Sequence, residues 1–353
     1  MRRIVPSIVL VIMAFIVAEL LPGSAPITQP ILWPFLILIY GPGALLIRES
    51  VRRRKRGWES VVLLGAAYRF VEEGLALQSL FNPTLYGAAD WGGRIFGMNG
   101  VYAEAAITIH AVWSAAVPIL LTDLLFPDCS DRPYLGRFGL VVTAIWYILG
   151  VALLAVLARF SIAPEYHAPP IQLAVTTLIT LALAAISLVI LPRNALRPQR
   201  QTNAPRPWVV LMVTCIASLI WHALLALLWR IQPALAHWPL VLVPMLGATA
   251  VIVMMFWLLR QWAATSDWND RHRLALASGA LLSHSLIGGA ILTKTTVDRA
   301  GVAVLGFAMI VLLSLFARRI RERTRHHVGS GVGAINSQRL VGARSEGPTT
   351  AGG

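Results

Sequence analysis

The side chains of this chain that can do chemistry are ionisable groups inside apolar stretches. Glu72 and Glu73 are adjacent, and Arg69 precedes them by three and four residues, so the three share one face of a helix. A charged residue at the centre of a membrane span costs about 2.5–3.5 kcal/mol on insertion. The sequence therefore predicts that protein, not lipid, surrounds this face.

Three histidines in later apolar stretches lie at a similar depth: His110, His222 and His284. Counted from the predicted inner end of each stretch at 1.5 Å per residue, the histidines and the glutamate pair lie about 20–24 Å from the inner face. We therefore expect one buried polar centre in which the catalytic carboxylates are Glu72 and Glu73.

Two chemistries and one structural interpretation suit this set. Two carboxylates with up to three imidazoles suit a divalent metal such as zinc, with His110, His222 and His284 as metal ligands and a carboxylate as general base. The same groups suit a proton relay. Alternatively, Arg69 pairs with one glutamate, the other glutamate is protonated, and the histidines bond to Ser or Thr. Arg69 and Glu104 are expected to be further buried polar residues.

The pattern also resembles a known family. A glutamate pair on one span, a histidine on the next and a histidine on a later span is similar to the CAAX prenyl protease and bacteriocin-processing intramembrane metalloproteases. Four residues carry the resemblance: Glu72, Glu73, His110 and His284. It implies metal-dependent hydrolysis inside the membrane.

Three neighbouring positions depart from the motifs of that family. Leu77 stands where the family has an arginine, four residues after the second glutamate. Ala106 replaces a phenylalanine four residues before His110, and Gly288 replaces the Asn or Asp four residues after His284.

The elements that must position these residues are transmembrane helices. Of the 353 residues, 57% are apolar and 13% are charged, against about 25% charged in soluble domains. Apolar runs of about 20 residues, each long enough to span a bilayer, follow one another almost without interruption. They lie near residues 4–21, 31–49, 58–80, 99–126, 136–160, 169–192, 208–230, 237–260, 271–293 and 299–318. The predicted fold is all-α, a polytopic transmembrane helical bundle of about ten spans.

Basic residues indicate the orientation. With the amino terminus inside, 24 of the 30 Lys and Arg residues fall in inner segments and five in outer loops, as the positive-inside rule requires. The remaining one is Arg69. The pattern predicts both ends in the cytoplasm, and it attributes the net charge of +14 to topology instead of nucleic-acid binding.

Residues 1–326 are predicted to form the transmembrane domain, and residues 327–353 a disordered cytoplasmic tail that is poor in large apolar side chains. The basic and apolar amino terminus resembles a signal peptide, but its length favours an uncleaved first span. The longest predicted outer loop, 81–99, is either a structured connector or a cover over the polar centre.

Three classes of function fit these features, in a protein expected to lie in the cell membrane as a multi-pass chain with the lipid bilayer as its partner. The first is an intramembrane metal-dependent hydrolase. The second is a proton-coupled transporter or carrier that uses the buried carboxylates. The third is a non-catalytic membrane scaffold. The short inner loops contain no Walker-type glycine loop, and neither substrate nor oligomeric state is encoded in a recognisable motif.

Overall fold

The computed structural model describes residues 4–88, 92–193 and 203–345, with side chains of the last helix described as far as Arg323. Ten long helices occupy this part of the chain. They are α1 (Ile4–Leu20), α2 (Pro30–Arg53), α3 (58–76), α4 (Gly100–Leu125), α5 (Arg137–Ile162), α6 (Pro170–Ile190), α7 (Pro207–Ile231), α8 (Leu242–Ala263), α9 (Asp270–Ile291) and α10 (Thr296–Ser345). A short antiparallel ribbon pairs β1 (Arg94–Ile95) with β2 (Met98–Asn99).

Each of the ten predicted windows corresponds to one helix, which confirms the all-α fold. By length and composition, eight helices of the described chain can cross a membrane. The two others are α1, which is shorter, and α3, which carries Arg69, Glu72 and Glu73. The inside location of both ends stays a prediction.

Several helices expose large apolar side chains. The most exposed include Phe138 on α5 (82%), Ile171 on α6 (69%), Leu246 on α8 (65%) and Phe307 on α10 (69%). Surfaces of this kind suit contact with the acyl chains of a bilayer, where apolar groups meet no water. The polar side chains of α3 and α4, in contrast, face other helices.

The core that positions those polar faces is built by α1, α2, α3 and α4. At Gly65, α3 lies close to α4, since a Cβ at this position would be 2.7 Å from the Cα of Ala111. Small residues allow such close contact between membrane helices. The approach brings the charged turn of α3 against the histidine-bearing turn of α4.

A buried ionic cluster closes the predicted inner end of the same helices. Arg48, which is fully buried, donates from Nε to Asp123 Oδ1 at 2.8 Å. Arg52 donates to the other Asp123 oxygen at 2.6 Å, and the Tyr134 hydroxyl donates to Oδ1 at 2.9 Å. Glu49 accepts the backbone N–H of Tyr134 at 2.6 Å. These bonds pair Asp123 and Glu49 completely, so the cluster fastens the 126–136 loop to α2.

The chain divides into two compact units, Met1–Phe307 and Ala308–Gly353, and the polar residues of α3 and α4 belong to the first. The helical backbone of α10 continues to Ser345, through most of the segment whose composition predicts disorder. Residues 346–353 lie outside the described residues. The tail boundary at residue 327 stays a prediction.

The ionic cluster gives a first prediction. Asp123→Ala leaves Arg48 buried without its main counter-charge, a change that costs about 3–5 kcal/mol for a buried pair. We expect a clear fall in the thermal unfolding midpoint of the detergent-solubilised protein. Asp131→Ala is the matched control, because the Asp131 side chain is 77% exposed in the adjoining loop. Equal midpoints for the two variants would contradict the structural role of Asp123.

Candidate functional site

The glutamate pair and His110 lie in widened turns of their helices. Glu72 and Glu73 belong to a π-helical segment, Phe70–Ala76, and His110 begins another, His110–Ala116. In such a segment backbone bonds join residues five apart, as from the Leu77 N–H to the Glu72 carbonyl at 2.8 Å. Single π-helical turns are rare and occur often at functional sites. Here they contain the polar residues of α3 and α4 that contact each other.

The three side chains meet in the protein interior. Glu72, Glu73 and His110 are each at most 5% exposed. One ligand atom from each lies within 4.8 Å of the others. His110 Nε2 is 3.0 Å from Glu72 Oε2.

Arg69 neutralises one of the two carboxylates. Its Nη1 lies 2.5 Å from Glu73 Oε1, and its Nη2 donates to the Tyr102 hydroxyl at 2.9 Å. The Tyr102 hydroxyl in turn donates to Glu73 Oε2 at 2.8 Å. Arg69, Glu73 and Tyr102 therefore form a closed hydrogen-bonded ring with no net charge.

The second carboxylate has a different partner. His110 Nδ1 lies 3.1 Å from the Ala106 carbonyl, which can only accept, so Nδ1 carries a proton. In the neutral imidazole Nε2 is then an acceptor, as is the oxygen of an ionised Glu72. Arg69 Nη1 can donate to Nε2 at 2.9 Å, but Glu72 Oε2 has no hydrogen-bond donor of its own, so a proton between Nε2 and Oε2 is what makes their 3.0 Å contact favourable. The Glu72–His110 pair is therefore arranged to hold one proton, on the imidazole or on the carboxyl.

Tyrosines surround this pair. The Tyr68 ring stacks on His110 with centroids 5.6 Å apart, and the Tyr40 hydroxyl lies 3.4 Å from Nε2. Tyr40 also interacts with Glu19, which lies in a π-helical segment of α1 and is half-buried. The polar groups thus extend from α3 and α4 to α2 and α1.

The fit of a metal ion to these residues is limited by Arg69. Two carboxylates and one imidazole are a donor set that binds zinc, with bonds of about 2.0–2.2 Å. However, Arg69 Nη1 lies 2.5 Å from Glu73 Oε1 and 2.9 Å from His110 Nε2. A cationic group already lies between these two ligands. The residues as arranged do not fit a zinc ion held by all three, and an ion would require Arg69 to move away.

His222 and His284 form a second contact instead of joining the first. His222 Nε2 lies 3.3 Å from His284 Nδ1, and His222 Nδ1 lies 2.7 Å from the Ser218 carbonyl. Since that carbonyl only accepts, His222 Nδ1 donates to it, and His284 Nδ1 donates to His222. The indole of Trp113 stacks on His284 with centroids 4.6 Å apart. The pair joins α7 to α9 beneath an aromatic side chain of α4.

The single centre expected from sequence depth is therefore two groups. Within the described residues, the group of three or more potential metal ligands contains Glu72, Glu73 and His110, and neither His222 nor His284. Equal depth in four helices fixes the height of a side chain but not the direction in which it points.

Glu104 also departs from expectation. It is half-buried instead of buried. Its Oε1 accepts a hydrogen bond from Thr249 of α8 at 2.9 Å. Glu104 points from α4 toward α8 and not toward His110, so Glu104 is not part of the centre.

Three members of the site were not among the expected residues. Glu19 could have been found, because it is the one acidic residue of the first apolar window. Tyr40 and Tyr102 gave no comparable signal, since tyrosine is common in membrane spans and near their ends without any role in chemistry.

Comparison with known proteins places the chain in a family. A model of an uncharacterized membrane protein family matches residues 8–195, so the chain belongs to that family. The match begins within α1, extends through α6 and contains the whole Glu72, Glu73 and His110 group. No curated protein and no solved structure matches the chain.

The histidine pair gives a second prediction. His222→Ala leaves His284 Nδ1–H buried without an acceptor, at a cost of about 1–3 kcal/mol. We expect a lower unfolding midpoint in detergent for this variant. His237→Ala, at an exposed position of the α7–α8 connection, should leave the midpoint unchanged. A midpoint for His222→Ala equal to that of wild type would show that the contact contributes nothing to stability.

Proposed function

We propose that this membrane protein is a proton-coupled carrier in which the Glu72–His110 pair binds and releases the proton. One observation carries the proposal. Nε2 of His110 lies 3.0 Å from Oε2 of Glu72 while Nδ1 is already engaged with the Ala106 carbonyl. A shared proton makes that distance favourable, because Glu72 Oε2 has no other hydrogen-bond donor, whereas Nε2 also lies 2.9 Å from Arg69 Nη1.

The charge balance of the site favours coupling to a second event. Glu73 is balanced by Arg69, and Glu72 is balanced only while its pair with His110 holds a proton. A net charge in the membrane interior is costly. Release of the proton therefore requires either the entry of another cation or a movement of α3 against α4. A proton-coupled carrier works in this way, because it binds or releases a proton only together with its cargo or with a change of conformation.

The remaining side chains have separate roles in this proposal. Arg69 is a permanent counter-charge, because a guanidinium keeps its proton in proteins. Tyr102 fixes Arg69 and Glu73 in one geometry. Tyr40 links His110 toward Glu19, a second carboxylate from which a proton can be passed along hydroxyl groups. We place the protein in the cell membrane with both ends on the cytoplasmic side.

A metal-dependent hydrolase is the second candidate. It is favoured by the convergence of Glu72, Glu73 and His110 within 4.8 Å and by the likeness of these residues to the motifs of intramembrane metalloproteases. It requires that Arg69 leave its position between Glu73 and His110. His284 would not be a ligand in the arrangement described above.

Infrared spectroscopy across a pH titration tests the proton assignment. Wild-type protein in liposomes should lose one proton from the pair, seen either as a carboxyl band replaced by a carboxylate band or as an imidazolium band lost beside an unchanged carboxylate band. Glu72→Gln should lack both changes, because the amide can neither ionise nor act as the counter-charge of an imidazolium. Glu104→Gln is the matched control, a membrane carboxylate outside the site, and it should retain the change. A Glu72→Gln spectrum identical to wild type would refute the proposal.

Transport is measured with the same variants. In liposomes with an imposed pH gradient, solutes of different classes are offered and their accumulation is followed. Gradient-dependent accumulation should occur in wild type and in Glu104→Gln and should be absent in Glu72→Gln. Accumulation that persists in Glu72→Gln would separate transport from this pair.

Metal content separates the two candidates. The carrier proposal expects no stoichiometric zinc on the purified protein, and no dependence of its zinc content on Glu73→Gln or His110→Ala. One equivalent of zinc that disappears in both variants would establish the hydrolase-type site instead. Elemental mass spectrometry gives the measurement, with His237→Ala as the control for adventitious binding by an exposed imidazole.

A further inference from the structure

We propose that Tyr86 and Tyr102 form the entrance through which the polar centre meets the predicted outer aqueous side. The species that passes is a proton delivered by water. This inference rests on the proposed carrier function for the identity of the species that enters, but the entrance itself is defined by the contacts of the two rings.

Tyr102 is the outermost group bonded to the centre. It lies in the first turn of α4, near the predicted outer end of that helix. Its hydroxyl accepts from Arg69 and donates to Glu73. Any water molecule that approaches these two residues from the outer side therefore meets Tyr102 first.

Tyr86 covers Tyr102 from the connection that precedes β1. The two rings are stacked, with centroids 5.7 Å apart and an angle of 24° between their planes. Tyr86 is nevertheless 58% exposed. One face of its ring thus contacts Tyr102 while the remainder meets solvent, which places the pair at the boundary between the centre and water.

The backbone around Tyr86 holds the ring there at some cost. Its φ angle is 58°, in the left-handed region that a bulky residue rarely adopts. The turn before it is organised by the buried Asn82, whose Oδ1 accepts the N–H groups of Thr84 at 2.9 Å and Leu85 at 3.3 Å. Strained residues held by their surroundings cluster at functional sites. The turn therefore fixes the position of the ring against Tyr102.

The opposite end of the site is obstructed by the buried ionic cluster. From Tyr40 to Arg48 along α2 is eight residues, or about 12 Å at the rise of an α-helix. The cluster at that end contains Arg48, Glu49 and Asp123, which are at most 6% exposed and are paired with one another and with the loop. On the outer side, among the described residues, the stacked rings of Tyr86 and Tyr102 lie between Glu73 and solvent.

Passage of a proton needs only a rotation of one ring. When Tyr86 swings away, water reaches the Tyr102 hydroxyl and Glu73 behind it. The Glu72–His110 pair lies next to Glu73, with ligand atoms of the three residues within 4.8 Å of one another. A hydronium ion gives its proton to a carboxylate oxygen and leaves as water, so no other reactant is consumed. Return of the ring excludes water again and restores the low dielectric around the pair.

Side-specific chemical labelling tests the entrance. The full chain in liposomes is treated with a membrane-impermeant carbodiimide and an amine, and labelling of Glu72 and Glu73 is quantified by mass spectrometry of the peptide that contains them. Tyr86→Ala should raise the labelling rate by about two- to tenfold, the size expected for loss of one aromatic pair. Tyr86→Phe should label like wild type, because stacking needs no hydroxyl.

Phe96→Ala is the matched control, since the Phe96 side chain is 93% exposed in the same connection and should leave the labelling rate unchanged. Unchanged labelling in Tyr86→Ala, or an equal rise in Phe96→Ala, would overturn the entrance. The labelling does not depend on proton transport. If Tyr86→Ala raises labelling while Glu72→Gln leaves the infrared titration unchanged, the entrance stands and the proton assignment is refuted. If Tyr86→Ala leaves labelling unchanged while Glu72→Gln abolishes the infrared change, only the entrance is refuted.

Discussion

Neutralisation of charge inside the membrane is the constraint on which the rest of this structure depends. α3 carries Arg69, Glu72 and Glu73 within five residues, and no lipid environment could hold them. The structure meets this requirement in two ways. A permanent cation balances Glu73, whereas a removable proton balances Glu72 through His110. The charge on Arg69 is permanent, whereas the proton shared by Glu72 and His110 can be released and bound again. Only the Glu72–His110 pair is therefore a candidate for a step in transport.

The contrast with the inner cluster sharpens this distinction. The inner cluster contains the same kinds of side chain as the centre, namely arginine, carboxylate and tyrosine. Arg48 and Asp123 are about as deeply buried as the residues of the centre. There the acidic side chains Asp123 and Glu49 are both paired with arginine, and the loop 126–136 supplies further hydrogen bonds. Such a cluster stabilises one arrangement of helices. In the centre, Glu72 Oε2 has no hydrogen-bond donor unless a proton is present.

The site forms because α3 and α4 lie close together. Gly65 allows α3 to approach α4, and the widened turns at Phe70–Ala76 and His110–Ala116 then direct the side chains. The site residues thus lie in irregular backbone segments of both helices.

The sequence by itself determined the all-α fold and the windows of the ten helices, because a bilayer imposes length and apolarity on every span. It also identified Glu72, Glu73 and His110 as polar groups that must be buried. Only the tertiary structure decided that His222 and His284 contact each other, that Glu104 turns toward α8, and that Tyr40, Tyr102 and Glu19 join the centre. Depth along a helix follows from counting residues, but the direction of a side chain depends on helix rotation and on π-helical turns, which no residue count contains.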